Sequence, residues 1–136
     1  MKKLLLSIFC LFLGTLEAVP LCNASGGIKL LFFYREDCKW CRMMEQVVDD
    51  PSIRKILLEN TQMIRVDIYG KERPASEGLT GAELTKKYRV AGVPTLIFMS
   101  GGQEELLRIP GVVTKEDFKD LLCHQVRGVK HRLCAN

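Results

Sequence analysis

The sequence predicts an α/β fold: a small mixed sheet sandwiched between helices, in three layers. Three observations carry that reading. Apolar runs of strand length, residues 28–34 and 93–99, are separated by stretches with helical periodicity. The second run leads through Ser100-Gly101-Gly102-Gln103 into another short apolar stretch, a hairpin signal. The resulting order is β-α-β-α-β-β-α. Its strand–helix–strand unit implies a parallel pair joined by a right-handed crossover. The hairpin adds antiparallel strands, and the helices cover both faces.

Taken in order, Ile28-Lys29-Leu30-Leu31-Phe32-Phe33-Tyr34 is apolar almost throughout, which predicts a central strand covered on both faces. A helix follows from Cys38 to about Asp49, with Met43, Met44, Val47 and Val48 at helical spacing. Asp50-Pro51 restarts it, Asp50 as N-cap and Pro51 at the first helical position. Ile53, Ile56 and Leu57, with Leu58 at the margin, form the apolar face of this second helix. Residues 62–69 alternate partly and read as the second strand, and residues 70–78 as a loop. Thr80-Gly81-Ala82-Glu83 has the pattern of a capping box and opens a helix that stops before Ala91-Gly92. Val93–Met99 is the third strand, entered through Pro94, and Glu105–Ile109 the fourth, broken by Gly111. Thr114 caps a last helix with Phe118, Leu121 and Leu122 on its apolar face. The basic residues 123–136 read as a helix end and a solvated tail.

The 136 residues are enough for one domain with a single core. The net charge of +4 is mild and not gathered into a stripe, so no nucleic-acid partner is expected. The N-terminus has the form of a signal peptide: Met1-Lys2-Lys3, then an apolar stretch from Leu4 to Leu16. Cys22-Asn23-Ala24 puts small residues at the last and third-last positions, which predicts cleavage after Ala24 and a mature domain of residues 25–136. Cleavage after Ala18 competes, but it places Leu16 at the third-last position. An uncleaved anchor competes too, although the stretch is short of the ~20 apolar residues that span a bilayer. Removing residues 1–24 leaves a net charge of +3 and four cysteines, Cys38, Cys41, Cys123 and Cys134. That even count suits an oxidising compartment.

Cys38 and Cys41 stand two residues apart where a strand turns into a helix. Backbone N–H groups and the helix dipole favour a thiolate at that place. The second thiol is then near enough to attack a mixed disulfide made by the first. The pattern therefore points to dithiol–disulfide exchange. The competing reading is half of a zinc site completed by Cys123, His124, His131 or Cys134. Zinc ribbons use a second pair at comparable spacing, and Cys123 and Cys134 are eleven apart. No metal and no cofactor is expected.

Cys38-Lys39-Trp40-Cys41 after the first strong strand, with Gly92-Val93-Pro94-Thr95 before the third, resembles the thioredoxin superfamily. The stretch Asp37 to Glu45 is similar to the Asp-Cys-x-x-Cys-x-x-Met-Glu pattern of exported bacterial thioredoxin-like proteins. The resemblance covers roughly residues 27–123 and implies the thioredoxin-like three-layer sandwich. It implies a periplasmic thiol–disulfide oxidoreductase in which Cys38 attacks and Cys41 resolves. It further implies a reductase of disulfide-containing client proteins, fed by a membrane thiol–disulfide electron donor. A disulfide oxidase or isomerase, and a non-catalytic module binding peptides or a metal, are the alternatives.

The resemblance also implies a cis Pro94, with the Val93 backbone offered to a client strand beside the reactive sulfur. Lys39 is the expected redox-tuning charge and Trp40 a partner contact, with simple packing of Trp40 on its loop as the alternative. Thioredoxins proper carry a buried acid six residues before the first cysteine and a lysine near the next strand; here Phe32 takes the first position and the second falls near Met63. Both are apolar, which leaves the direction of electron flow open. Glu45 is expected to face solvent beside a basic residue. Cys123 and Cys134 form either a second disulfide or two free thiols. Nothing in the sequence marks a dimerisation stretch, and a monomer is expected.

Overall fold

Five of the seven side chains in Ile28–Tyr34 are buried, and this strand, β1, lies inside the sheet. The computed structural model describes residues 27–74 and 77–135; the segment read as a signal peptide lies outside the described residues. β1 pairs in parallel with β2 (Thr61–Asp67) and antiparallel with β3 (Thr95–Met99). β3 in turn pairs antiparallel with β4 (Glu105–Pro110), so the order is β2-β1-β3-β4. The helices are α1 (Lys39–Val48), α2 (Pro51–Asn60), α3 (Gly81–Lys87) and α4 (Lys115–His124). This is the mixed sheet with helices on both faces that the sequence predicts. β3 begins at Thr95 rather than Val93, since Pro94 has no N–H for a ladder.

Alternate residues of β1 and β3 feed two cores. Leu30, Phe32, Leu96 and Phe98 point to one face, where Met44 and Val48 of α1, Ile53 and Ile56 of α2, and Phe118 and Leu122 of α4 cover them. Leu31, Phe33, Ile97 and Met99 point to the other, under Leu84 of α3. Each such burial removes enough apolar surface for about 1.5–3 kcal/mol. Leu58, by contrast, points to solvent.

Each helix start follows from its capping residue. The Asp50 carboxylate accepts the Ser52 N–H at 2.9 Å, ahead of Pro51. Thr80 and Glu83 form a reciprocal capping box, with Thr80 N–H on Glu83 Oε2 at 2.8 Å and Glu83 N–H on Thr80 Oγ1 at 3.2 Å. Hydrogen bonds from the Thr80 backbone and hydroxyl hold the Glu83 carboxyl below its ordinary value of 4.5. At Gly81, in the first turn of α3, a Cβ would overlap the Asp67 carbonyl oxygen, so glycine is what lets α3 sit against the end of β2.

The basic C-terminal stretch is not a solvated tail. Val126 is buried, and Val129 and Leu133 pack on the same core as α4. Lys130 N–H donates to Asn60 Oδ1 at 2.8 Å, and His131 Nε2 lies 3.3 Å from Glu59 Oε2. Cys123 and Cys134 are joined in a disulfide with Cα atoms 5.3 Å apart, which ties a short 3₁₀ turn (Arg132–Cys134) to α4. Apolar residues set one by one among basic ones anchor this segment, a pattern that periodicity does not reveal.

Two stability measurements check this description. Replacing Cys123 and Cys134 together by Ser should lower the unfolding free energy by about 2–3 kcal/mol, read from urea denaturation, because the closed loop is short. A carboxyl with a lowered folded-state pKa stabilises above its unfolded value, and that contribution disappears as pH falls through the folded one. The urea midpoints of the parent and Glu83→Gln should therefore differ at neutral pH and converge in acid, below the ordinary value of 4.5.

Candidate active site

β1 ends at Tyr34, and a turn closed by the Cys38 N–H on the Arg35 carbonyl (3.2 Å) delivers Cys38 to the start of α1. Cys38 is the N-cap, with extended φ and ψ of −91° and 107°, and its sulfur accepts the Cys41 N–H at 3.1 Å. A sulfur thus occupies the place where Ser or Asp commonly satisfies the free amides of a first turn. Cys41 follows one turn inward, and the two are joined in a disulfide with Cα atoms 5.2 Å apart. Cys38 is 5% exposed and Cys41 1%, so an incoming sulfur meets Cys38 first.

The second side of the site is the loop before β3. The Val93–Pro94 peptide bond is cis, and the Val93 carbonyl oxygen lies 3.9 Å from Cys38 Sγ. Thr95 Oγ1 donates to the Gly92 carbonyl (2.7 Å) and Gly111 N–H to the Pro94 carbonyl (2.8 Å), which pins the loop to β3 and to the segment after β4. Gly92 has open space where a Cβ would stand. A groove of about 470 Å³ opens here, bordered by Arg89, Val93, Arg108 and Gly111. The structure thereby brings Val93 and Pro94 against the cysteine pair.

Lys39 and Trp40 lie on the outer surface of the first turn. Trp40 is 58% exposed, and the Lys39 ammonium sits 5.9 Å from its ring centroid. Beside it, a groove of about 560 Å³ runs between α1 and the β4–α4 connection, lined by Trp40, Met43, Val47, Val112 and Val113. Met44, one residue on, is wholly buried, so the two methionines divide between groove and core.

The strand register sets which residue of β2 lies across from Phe32. The parallel register sets Met63 beside Leu30 and Arg65 beside Phe32. The Arg65 guanidinium lies 5.4 Å from the Phe32 ring centroid and 5.0 Å from that of Tyr34, and it pairs with the Glu45 carboxylate. A basic group therefore does lie beside the first strand, tied to the acid one turn past Cys41. The pairing register, which decides it, is not written in the sequence of either strand alone. Cys123 and Cys134 are bonded to each other and so do not complete a four-cysteine set with Cys38 and Cys41.

Comparison with known proteins places this geometry in context. Residues 18–125 match the family described as Thioredoxin-like domain. The chain is 29% identical over 82 residues to the disulfide bond reductase DsbH of Chlamydia pneumoniae, covering 58% of this chain and 49% of that one. It thus spans about half the length of that relative. A solved thioredoxin from Thermus thermophilus superposes with a TM-score of 0.61 at 30% identity, covering 78% of each chain. A solved DsbH oxidoreductase superposes with a TM-score of 0.59 at 23% identity, covering 73% of this chain and 74% of that one.

The Glu45–Arg65 pair is half-exposed, so its worth is that of a surface ion pair. A double-mutant cycle with Glu45→Gln and Arg65→Gln should give a coupling of about 0.2–1 kcal/mol that shrinks in about 1 M salt. A coupling of zero at low salt would mean that the two side chains do not meet in solution.

Proposed function

Given that the chain belongs to the thioredoxin-like domain family, we propose that it is a thiol–disulfide oxidoreductase, exported to the periplasm and working as a reductase. One observation carries the reading: Cys38 caps α1 with its sulfur on the Cys41 amide and faces the Val93 carbonyl. The helix start favours negative charge by about 0.3–1 kcal/mol, and more when partly buried, which stabilises Cys38 as a thiolate once reduced. The thiolate attacks one sulfur of a client disulfide, and the other client sulfur leaves as a thiolate with the bonding pair. A mixed disulfide joins Cys38 to the client. Cys41 gives up its proton, attacks Cys38 Sγ and expels the second client thiolate. The client has gained two electrons, and the protein holds the Cys38–Cys41 disulfide.

Val93 and Pro94 would bind the client backbone beside the sulfur, Trp40 would contact partners, and Lys39 would tune the couple through its charge. A membrane thiol–disulfide donor would return the two electrons. The reductase direction is supported by the name of the curated relative, a disulfide bond reductase. The signal-like N-terminus supports export.

The test is the equilibrium of the couple with glutathione and dithiothreitol buffers, together with client trapping by Cys41→Ser. A reductase should equilibrate near the thioredoxin value of about −270 mV, and the variant should accumulate mixed disulfides through Cys38. A value near −120 mV would make it an oxidant. If neither a reversible couple nor trapped clients are found, the exchange reading fails.

A further inference from the structure

We propose that the groove beside the Val93–Pro94 loop selects client segments carrying a carboxylate near their cysteine, with Arg89 as the residue that determines this specificity. The inference rests on the exchange function proposed above, and it specifies the client.

Two cations border the groove, Arg89 and Arg108. They are in different states. Arg108 is gripped by Glu105 through two bonds, Nε to Oε1 at 2.9 Å and Nη2 to Oε2 at 2.6 Å, and also donates to the Tyr88 carbonyl at 3.0 Å. Its charge is already answered. Arg89 is exposed and, among the described residues, has no carboxylate within ion-pair distance. Its backbone has φ +51°, because Arg89 is the left-handed residue that ends α3 in a Schellman cap. That conformation is held by Arg89 N–H on the Lys86 carbonyl (3.1 Å) and Val90 N–H on the Thr85 carbonyl (3.0 Å). The cap sets Arg89 on the rim of the groove, one turn-end away from Val93.

The charges around the cysteine pair are also unevenly spread. Lys86 and Lys87 stand in the last turn of α3, next to Arg89. On the turn before Cys38, by contrast, Asp37 is answered by Arg35 at 2.6 Å. A client strand laid along Ala91–Val93 would therefore meet positive potential towards Arg89, with no matching excess of charge on the turn side. Strand residues rise by about 3.3 Å, so a carboxylate within about four residues of the client cysteine reaches Arg89. Complementary rim charge mainly speeds encounter and sets preference, which is what a specificity residue should do.

The test uses the mature chain with Cys41→Ser and short peptides whose single cysteine is capped as a thiopyridyl disulfide. Cys38 attacks the peptide sulfur, the bond to the cap breaks, and neutral pyridinethione leaves after taking a proton. Three peptides differ only in Glu, Gln or Lys near the cysteine. The Glu peptide should react about threefold faster than the Gln peptide at low salt, as expected of a single exposed ion pair. The Lys peptide should be slowest, and the differences should collapse in about 1 M salt. Arg89→Gln should bring the Glu-to-Gln ratio to one, and Arg89→Glu should reverse it. Equal rates for all three peptides overturn the inference, as does an unchanged preference in Arg89→Glu. Fluorescent peptides with Ser in place of Cys are titrated into the oxidised parent chain in parallel. Charge-selective binding without exchange would leave the groove standing and sink the oxidoreductase reading. Exchange without charge selectivity would do the opposite.

Discussion

The hydrogen bond from the Cys41 amide to Cys38 Sγ, at 3.1 Å, is the interaction on which the rest of the site depends. It makes a sulfur the cap of α1, so the electrostatics of a helix start act directly on the atom that would react. It also fixes Cys41 one turn inward, within bonding reach of its neighbour. The surrounding fold holds that turn in place. β1 lies between β2 and β3, so its C-terminal end is anchored on both sides, and Met44 and Val48 seat α1 on the sheet. The loop that faces the sulfur is held in turn by Thr95 and Gly111. A displacement of either support would separate Cys38 from Val93.

The two sides of the cysteine pair differ in chemical character. On the α1 side, Trp40, Met43 and Val113 offer an apolar groove. On the α3 side, Val93 and Arg89 offer backbone and positive charge. Below, where thioredoxins proper bury an acid, Phe32 lies under the Arg65 guanidinium, and Glu45 balances that charge. Glu45 of α1 and Arg65 of the edge strand β2 thus form a half-exposed pair, and the interior beneath the cysteines stays apolar. Charge placed at a wetter site is screened more strongly, so it acts on the cysteines less than a buried acid would.

Much of this was legible in the residues. The strand-to-helix switch at Cys38 shows because an apolar run of period-less character gives way to Met44 and Val48 at helical spacing. Asp50-Pro51 and Thr80 with Glu83 announce helix starts by local chemistry alone, and the structure keeps both. What could not be read is whatever depends on register or on long-range packing. Arg65 meets Phe32 only because β2 pairs with β1 in one particular parallel register. Val126, Val129 and Leu133 reach the core one at a time between basic residues, so no periodic stripe marks them. The difference between Arg89 and Arg108 is likewise invisible in sequence, since it lies in which of them Glu105 holds.

Whether the start of α1 holds Cys38 as a thiolate is tested most directly by titrating that thiol. In the reduced Cys41→Ser chain, with Cys123 and Cys134 left bonded, far-ultraviolet thiolate absorbance would be followed against pH. A midpoint well below the ordinary thiol value of about 8.5 is the result predicted. A midpoint at or above that value would mean that burial outweighs the helix start, and the account of Cys38 as the attacking group would be contradicted.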